Sequence, residues 1–396
     1  MKKRNRNKHH IEKHGTQSLH RELASRKLMN ELPYLINYLP DPDPILQKTG
    51  KSIIAYRDLT SDAHVYANMQ QRKSGTTSMK WQIAKNSAND EDAHFIKNLF
   101  ERLDIDKLIN QILDAVFYGY AVLEIVWEVK NGKCIPARIE EKPQEWFTFD
   151  GENTLRLIEN YGSDGILLPR YKFLVAVNQP TYINPYGEKT LSRCYWPVTF
   201  KRSGLQFWVT FTEKYGLPFL VAKEPRTYTS DETAALLASL EKMLSDTIAV
   251  IPDDSSIEFI ESSHAHSSDV YKKYLEFCNG EISKAILSET LTTEVTDRGT
   301  YAAAKTHRDI LHHLVQGDKR LVEKTLNALI GMIWELNFVT SGEENIPAFH
   351  LYAEDEIHKS LAERDKTLQK MGVIFGKEYY KRYYNLKEDE FEVKEN

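Results

Sequence analysis

The sequence predicts an α+β protein, and three observations carry that reading. Helical patterns and short strand-like runs alternate through the first half. An Asn131-Gly132 pair stands between two strand-like runs, the mark of an antiparallel hairpin. Long helical patterns dominate the second half, the longest running from Tyr301 to Asn337.

Residues 1–30 are polar and basic without sustained periodicity and read as an arm, mobile or ordered by a partner. Pro33, Pro40, Asp41, Pro42, Asp43 and Pro44 then punctuate a linker, because proline fixes φ and disfavours continuous helix. Asp62 to Ser74 reads as helix, and Met79 to Ile83 alternates as a strand does. One helix is expected from about Asn89 through Phe95, Leu99, Leu103, Leu108, Leu113 and Val116, interrupted by Gly119. Tyr120 to Val129 is a buried strand, turned at Asn131-Gly132 onto a partner at Ile135 to Ile139. Short strands at Trp146–Phe149, Leu155–Ile158 and Phe173–Val177 complete a largely antiparallel sheet with helices packed on it.

From Pro197 to Thr293 the plan is helix, insert, helix. The first helix carries Phe200, Phe207, Trp208, Phe211 and Tyr215, and large aromatics at helical spacing form core or a surface between subunits. The insert holds a helix, Asp231–Leu244, and two strand-like runs, Thr247–Ile251 and Ile257–Ile260. Ile248, Val250, Ile257 and Phe259 alternate with polar residues, so a hairpin is expected with its Pro252–Ser256 turn exposing Asp253 and Asp254. The returning helix, Asp269–Leu287, leads into a polar loop rich in threonine. The long helix that follows repeats Ile310, Leu314, Leu321, Val322, Leu326, Leu329 and Ile333 on one face, with a bend expected near Gly317. Ala348–Tyr352 reads as a strand returning to the first sheet, and a helix at about Glu356–Met371 precedes an aromatic, charged tail.

A chain of 396 residues with 41% hydrophobic and 28% charged residues buries a substantial core and is not wholly disordered. The formal net charge of −5 argues against a tight nucleic-acid binder, which clusters basic residues. It leaves a nucleic-acid conduit open, because a bore lined with Lys and Arg would hold phosphates too firmly for sliding. Cys134, Cys194 and Cys278 are widely spaced, without a CxxC pair, and read as reduced thiols. No apolar run reaches the roughly 18 residues of a membrane span, and the basic N-terminus lacks the apolar stretch of a secretory signal.

Candidate chemistry is sparse. There is neither a GxxxxGK[ST] phosphate loop nor a GxSxG nucleophile elbow. His312 and His313 are neighbours pointing about 100° apart on a helix, and His307 lies five residues from His312, so zinc-helix spacing is not met. His264 and His266, set among serines, read as a solvated loop. Acidic pairs such as Glu91 with Asp92 suit caps and turns. The run Lys2–Lys8 suits either a solubilising tail or contact with DNA, RNA or an acidic protein. No cofactor, metal or catalytic residue is expected.

Four strings carry a family resemblance: Ser61-Asp62-Ala63-His64-Val65-Tyr66, Phe117-Tyr118-Gly119-Tyr120-Ala121-Val122-Leu123-Glu124, Asn184-Pro185-Tyr186-Gly187 and Glu281-Ile282-Ser283-Lys284-Ala285-Ile286-Leu287. In their order, from about Ser61 to Phe338 with a weaker tail to about Phe375, the chain resembles the portal proteins of Mu-like tailed phages. The resemblance implies a phage portal fold with a wing at 46–195, stem helices at 196–215 and 269–287, and a clip at 216–268. It further implies a channel loop at 288–300, a long wing helix and returning strand at 301–353, and a short crown-like tail at 354–396, behind a basic arm and linker at 1–45. It implies a dodecameric homo-oligomer at one vertex of the virion, assembled in the host bacterial cytoplasm. The resemblance implies that double-stranded DNA passes through that ring during packaging and ejection. The large terminase subunit, head–tail adaptor proteins, and the major capsid and scaffolding proteins are the implied partners, and the motor is a separate protein.

On this reading Phe207, Trp208 and Phe211 help bury a surface between subunits. Asp253 and Asp254 lie on the docking tip. Glu289, Thr290, Thr292, Thr293, Glu294, Thr296, Asp297 and Arg298 face the channel. The competing reading is a soluble α+β nucleic-acid-processing enzyme, motivated by size, mixed architecture and scattered His, Asp and Glu.

Overall fold

The computed structural model describes the backbone of residues 38–158, 165–215, 219–223, 229–231, 233–235, 237–238, 256–260, 267–289, 301–338 and 346–384. The chain divides into two compact units, Met1–Ser192 with Ile286–Asn396, and Arg193–Ala285.

The first unit begins at β1 (Tyr38–Leu39). Where a linker was expected, Asp43 instead caps a helix, α1 (Pro44–Thr49): its Oδ1 accepts from the Ile45 and Leu46 N–H groups at 2.9 and 3.2 Å. Pro44 fits because the first helical turn has no partner for its N–H anyway. A second short helix, α2 (Ile54–Leu59), precedes α3 (Ala63–Thr77), which Asp62 caps through the N–H groups of His64 and Val65. After β2 (Lys80–Ala84), the one helix expected beyond Asn89 is two, α4 (Asp90–Phe100) and α5 (Ile105–Tyr118). The apolar periodicity runs on, but Asp104 accepts from the Lys107 N–H at 3.0 Å and starts a new helix.

The predicted hairpin is β3 (Tyr120–Lys130) and β4 (Lys133–Lys142), with Asn131 and Gly132 at φ 52° and 74° in the left-handed region that a tight hairpin turn demands. Next come β5 (Phe147–Asp150), β6 (Leu155–Leu157) and β7 (Ile166–Leu167), which join β1 in a sheet of their own, ordered β1-β5-β6-β7. Then β8 (Phe173–Val177) returns to the free edge of β3. The single sheet expected is therefore split. Ile109, Ile112 and Val116 of α5 and Val122, Leu123 and Ile125 of β3 are almost wholly buried and form the centre of this unit's core.

The second unit holds most of α6 (Thr190–Tyr215), then β9 (Phe219–Lys223), β10 (Ser256–Ile260) and most of α7 (Ser267–Leu287). The helix α6 starts at Thr190, earlier than expected, and contains Pro197. Ile257–Ile260 is a strand as expected, but its described partner is Phe219–Lys223, in antiparallel register Ile257↔Ala222. That partner was unread because a short apolar run beside a helix end has no distinguishing period. Helical backbone at 233–235 and 237–238 falls within the expected helix Asp231–Leu244, whereas Thr247–Ile251 lies outside the described residues.

Back in the first unit, α8 (Tyr301–Asn337) runs unbroken through Gly317 and Gly331 and buries Val315, Val322, Leu326, Leu329, Ile330 and Ile333 as one stripe. The strand β11 (Ala348–Tyr352) pairs with β2 as a separate ribbon, Phe349↔Ile83, rather than with the hairpin sheet. Asn327 of α8 clamps it, donating to the Phe349 carbonyl at 3.1 Å and accepting from the Phe349 N–H at 2.7 Å. The final helix α9 (Glu354–Lys370) ends at Gly372, φ 95°, and the expected tail is a further helix, α10 (Lys377–Tyr384). Asp365 ties the two helices, accepting from the Tyr379 and Tyr384 hydroxyls at 3.0 and 2.7 Å.

Candidate functional site

Two of the resemblance strings, distant in sequence, meet in the first unit. Gly119 ends α5 at φ 91°, and a Cβ there would lie 2.4 Å from the Tyr186 carbonyl oxygen; Gly187, at φ 76°, would likewise strike the Gly119 carbonyl at 2.4 Å. Only glycine permits this approach. Beside it, the Tyr186 hydroxyl donates to the Leu39 carbonyl at 2.7 Å and accepts from the Phe149 N–H at 3.2 Å. Lys189 pairs with Asp41 at 2.9 Å, and the Thr190 hydroxyl caps the Val116 carbonyl at 2.8 Å. The strings thus form the joint where the chain enters α6.

A second joint holds the root of the threonine-rich loop. Arg72 of α3 gives both sides of its guanidinium to Asp318 of α8, at 2.8 and 2.9 Å, and its third nitrogen to the Ile286 carbonyl at 2.9 Å. One side chain therefore fixes the last turn of α7 and the helix that leaves the loop. Gly75 lets α3 and α8 close up, since a Cβ there would sit 2.5 Å from Val315 Cγ2. At the loop's start Ser288 takes φ 57°, and Glu289 is 3% exposed. Of the residues expected to face a channel, Glu289 is thus buried, and Thr290, Thr292, Thr293, Glu294, Thr296, Asp297 and Arg298 lie outside the described residues. The expected helix stopped at Ser74, one residue short of Gly75, and the pairing of Arg72 with a residue 246 positions away had no local signal.

Within the second unit, α6 and α7 run antiparallel. Trp208 stacks on Tyr271, ring centroids 6.4 Å apart and 4° from parallel, and Phe211 meets the same ring at 5.6 Å. One turn away Gly204 admits Tyr274, to which a Cβ would approach 2.7 Å. The expected interface trio is divided by this packing: Trp208 and Phe211 are half-buried against Tyr271, whereas Phe207 is 65% exposed. Trp196 and Phe200 share the Phe207 stripe, stacked on each other at 5.6 Å and exposed. The partner helix exposes Val270 and Phe277. Exposed apolar side chains thus lie on both helices of the pair.

Asp253 and Asp254, like His264, His266 and the side chain of His307, lie outside the described residues. His312 and His313 hold their rings 6.2 Å apart at 63° on one helix. Among the described residues no group of three His, Cys, Asp or Glu is placed to hold a metal, and no helix is long and apolar enough to cross a membrane.

A family model described as the portal protein of Mu bacteriophage matches residues 53–386. The portal protein of Escherichia phage Mu is 24% identical over 296 residues, a match covering 70% of this chain and 56% of that protein. The chain therefore spans about half the length of the curated relative it matches. Two solved structures share its fold. A chain from the virion of a native gene transfer agent particle superposes at a TM-score of 0.54, with 12% identity, covering 91% of this chain and 97% of that one. One from the neck of an empty gene transfer agent particle gives 0.57, with 11% identity, 87% and 98%.

Proposed function

Because the chain belongs to the portal protein family of Mu bacteriophage, matched over residues 53–386, we propose that it forms the ring-shaped portal of a phage capsid. Through this ring double-stranded DNA enters during packaging and leaves at ejection. The family match carries the reading. The unit Arg193–Ala285 supports it, because it coincides with the helix–insert–helix segment assigned to stem, clip and stem at 196–287.

In this assignment α6 and α7 are the stem helices, residues 216–268 the clip, 288–300 the channel loop, α8 and β11 part of the wing, and 354–396 a short crown. The exposed stripe of Trp196, Phe200 and Phe207 is covered by a second copy of the chain, as a closed ring requires of each subunit. Asp253 and Asp254, on the clip, take the large terminase subunit and later the head–tail adaptors. The subunits number twelve, and the protein acts as a conduit within the virion rather than as an enzyme.

Negative-stain electron microscopy of the purified full-length chain tests the reading. Rings with a central opening are the expected outcome; a chain that stays monomeric at high concentration, with DNA-processing activity, points instead to the enzyme.

A further inference from the structure

The first unit contains a polar cavity of about 300 Å3 lined by Arg57, Asp114, Tyr118, Glu141, Lys142 and Gln144. One water occupies roughly 30 Å3, so the space exceeds what a single bridging water fills. Its cations are already engaged. Arg57 gives both arms of its fork to Glu145, each at 2.6 Å, and also donates to Gln144 Oε1 at 2.7 Å. Lys142 lies 3.1 Å from Glu124, and Lys73 donates to Asp114 Oδ1 at 2.8 Å.

The carboxylates of the lining are only partly engaged among the described residues. Glu141 makes no ion pair among the described residues, and only Oδ1 of Asp114 is taken. Tyr118 is 9% exposed, and its hydroxyl has no partner among the described residues. Burial, then the charge of Asp114, pushes the Glu141 carboxyl up to about 7; burial also raises Asp114 and pushes the Tyr118 hydroxyl up to about 12. The lining is short of a donor, and specifically of a cation.

We propose that this cavity receives one guanidinium group, the arginine side chain of a partner polypeptide. A planar fork reaches two carboxylates and a phenol at once, which a compact ammonium does not. An anion would have to displace Glu145 from Arg57. Glu141 is faced by Asp114 and Tyr118 from α5, Lys73 from α3, Arg57 from α2, and Lys142 and Glu145 from its own stretch of chain. A bound cation favours its ionised form, so binding releases a proton and strengthens as the pH rises through about 7.

The site is independent of ring formation, and so is its test. N-acetyl-arginine amide, with the neutral isostere N-acetyl-citrulline amide as control, is titrated into the full-length protein at about pH 6 and about pH 8, read by calorimetry and thermal shift. The arginine probe should bind saturably and more tightly at the higher pH, with Glu141→Gln weakening it at least about tenfold, the loss of one charge-assisted pair. Tyr118→Phe, which keeps the ring and its packing, should weaken it less. Equal binding of the citrulline probe, or undiminished binding to Glu141→Gln, means an adventitious additive only and overturns the proposal, as does the absence of saturable binding to the wild type.

Discussion

Arg72 joins three segments through one guanidinium, and its side chain and that of Asp318 are 11% and 6% exposed. Arg72→Met leaves Asp318 buried without its cation and the Ile286 carbonyl without its donor. The expected loss is about 3–5 kcal/mol, measured as a shift in the urea midpoint, because a buried charge stripped of its partner keeps its desolvation cost. Adding Asp318→Leu should recover much of it; equal losses in the single and double variants would mean the pair is not coupled. Glu141 gives the opposite sign of charge effect. Its carboxyl is raised by burial and by Asp114 from 4.5 to about 7, so the folded state holds the proton more tightly than the unfolded chain. The associated stability is fully present below pH 4.5 and is lost as pH rises through about 7. Glu141→Gln should therefore gain on the wild type with rising pH, by roughly 1–2 kcal/mol at pH 8 after solvent screening. Parallel stability–pH curves for the two proteins would rule this out.

At the scale of elements, the helix pair α6 and α7 separates two roles that lie side by side in sequence. Phe207 and Trp208 are adjacent, yet helical geometry turns them about 100° apart, one outward and one onto Tyr271. Phe207→Glu should leave the far-ultraviolet circular dichroism and the melting of the isolated subunit unchanged while preventing rings on a sizing column. Trp208→Glu should lower the melting temperature as well, since it breaks the stack that joins the helices. If both variants assemble normally, the stripe is not a subunit contact. The same geometry explains why a broad aromatic pattern suggested one face: periodicity locates apolar stripes but does not say which partner covers each.

For the whole molecule, the proposed ring assigns passage of DNA to the loop between α7 and α8, whose charge should then govern it. Glu289 is buried, so the informative pair is Glu294 and Asp297. Converting both to Lys places two added cations on every subunit of a ring and multiplies phosphate contacts. In DNA-ejection assays the double variant should release DNA more slowly, with a steeper salt dependence than the wild type. Salt-independent ejection at normal speed would place these residues away from the bore.

By itself the sequence determined the α+β class, the hairpin with its Asn131-Gly132 turn, the long helix Tyr301–Asn337 and the order of motifs that matches the portal family. These are legible because period, turn chemistry and capping are local, and each acts within a few residues. Local signals also failed locally: Asp104 restarted a helix that periodicity carried through, and Asp43 turned an apparent linker into a capped helix. Only the tertiary structure decided that Gly119 and Gly187 face each other, that Arg72 meets Asp318 and Ile286, and that Glu141 shares a cavity with Asp114 and Tyr118. Those pairings join residues tens to hundreds of positions apart. Their energies come from burial and unshielded charge, which exist only once the chain has closed water out.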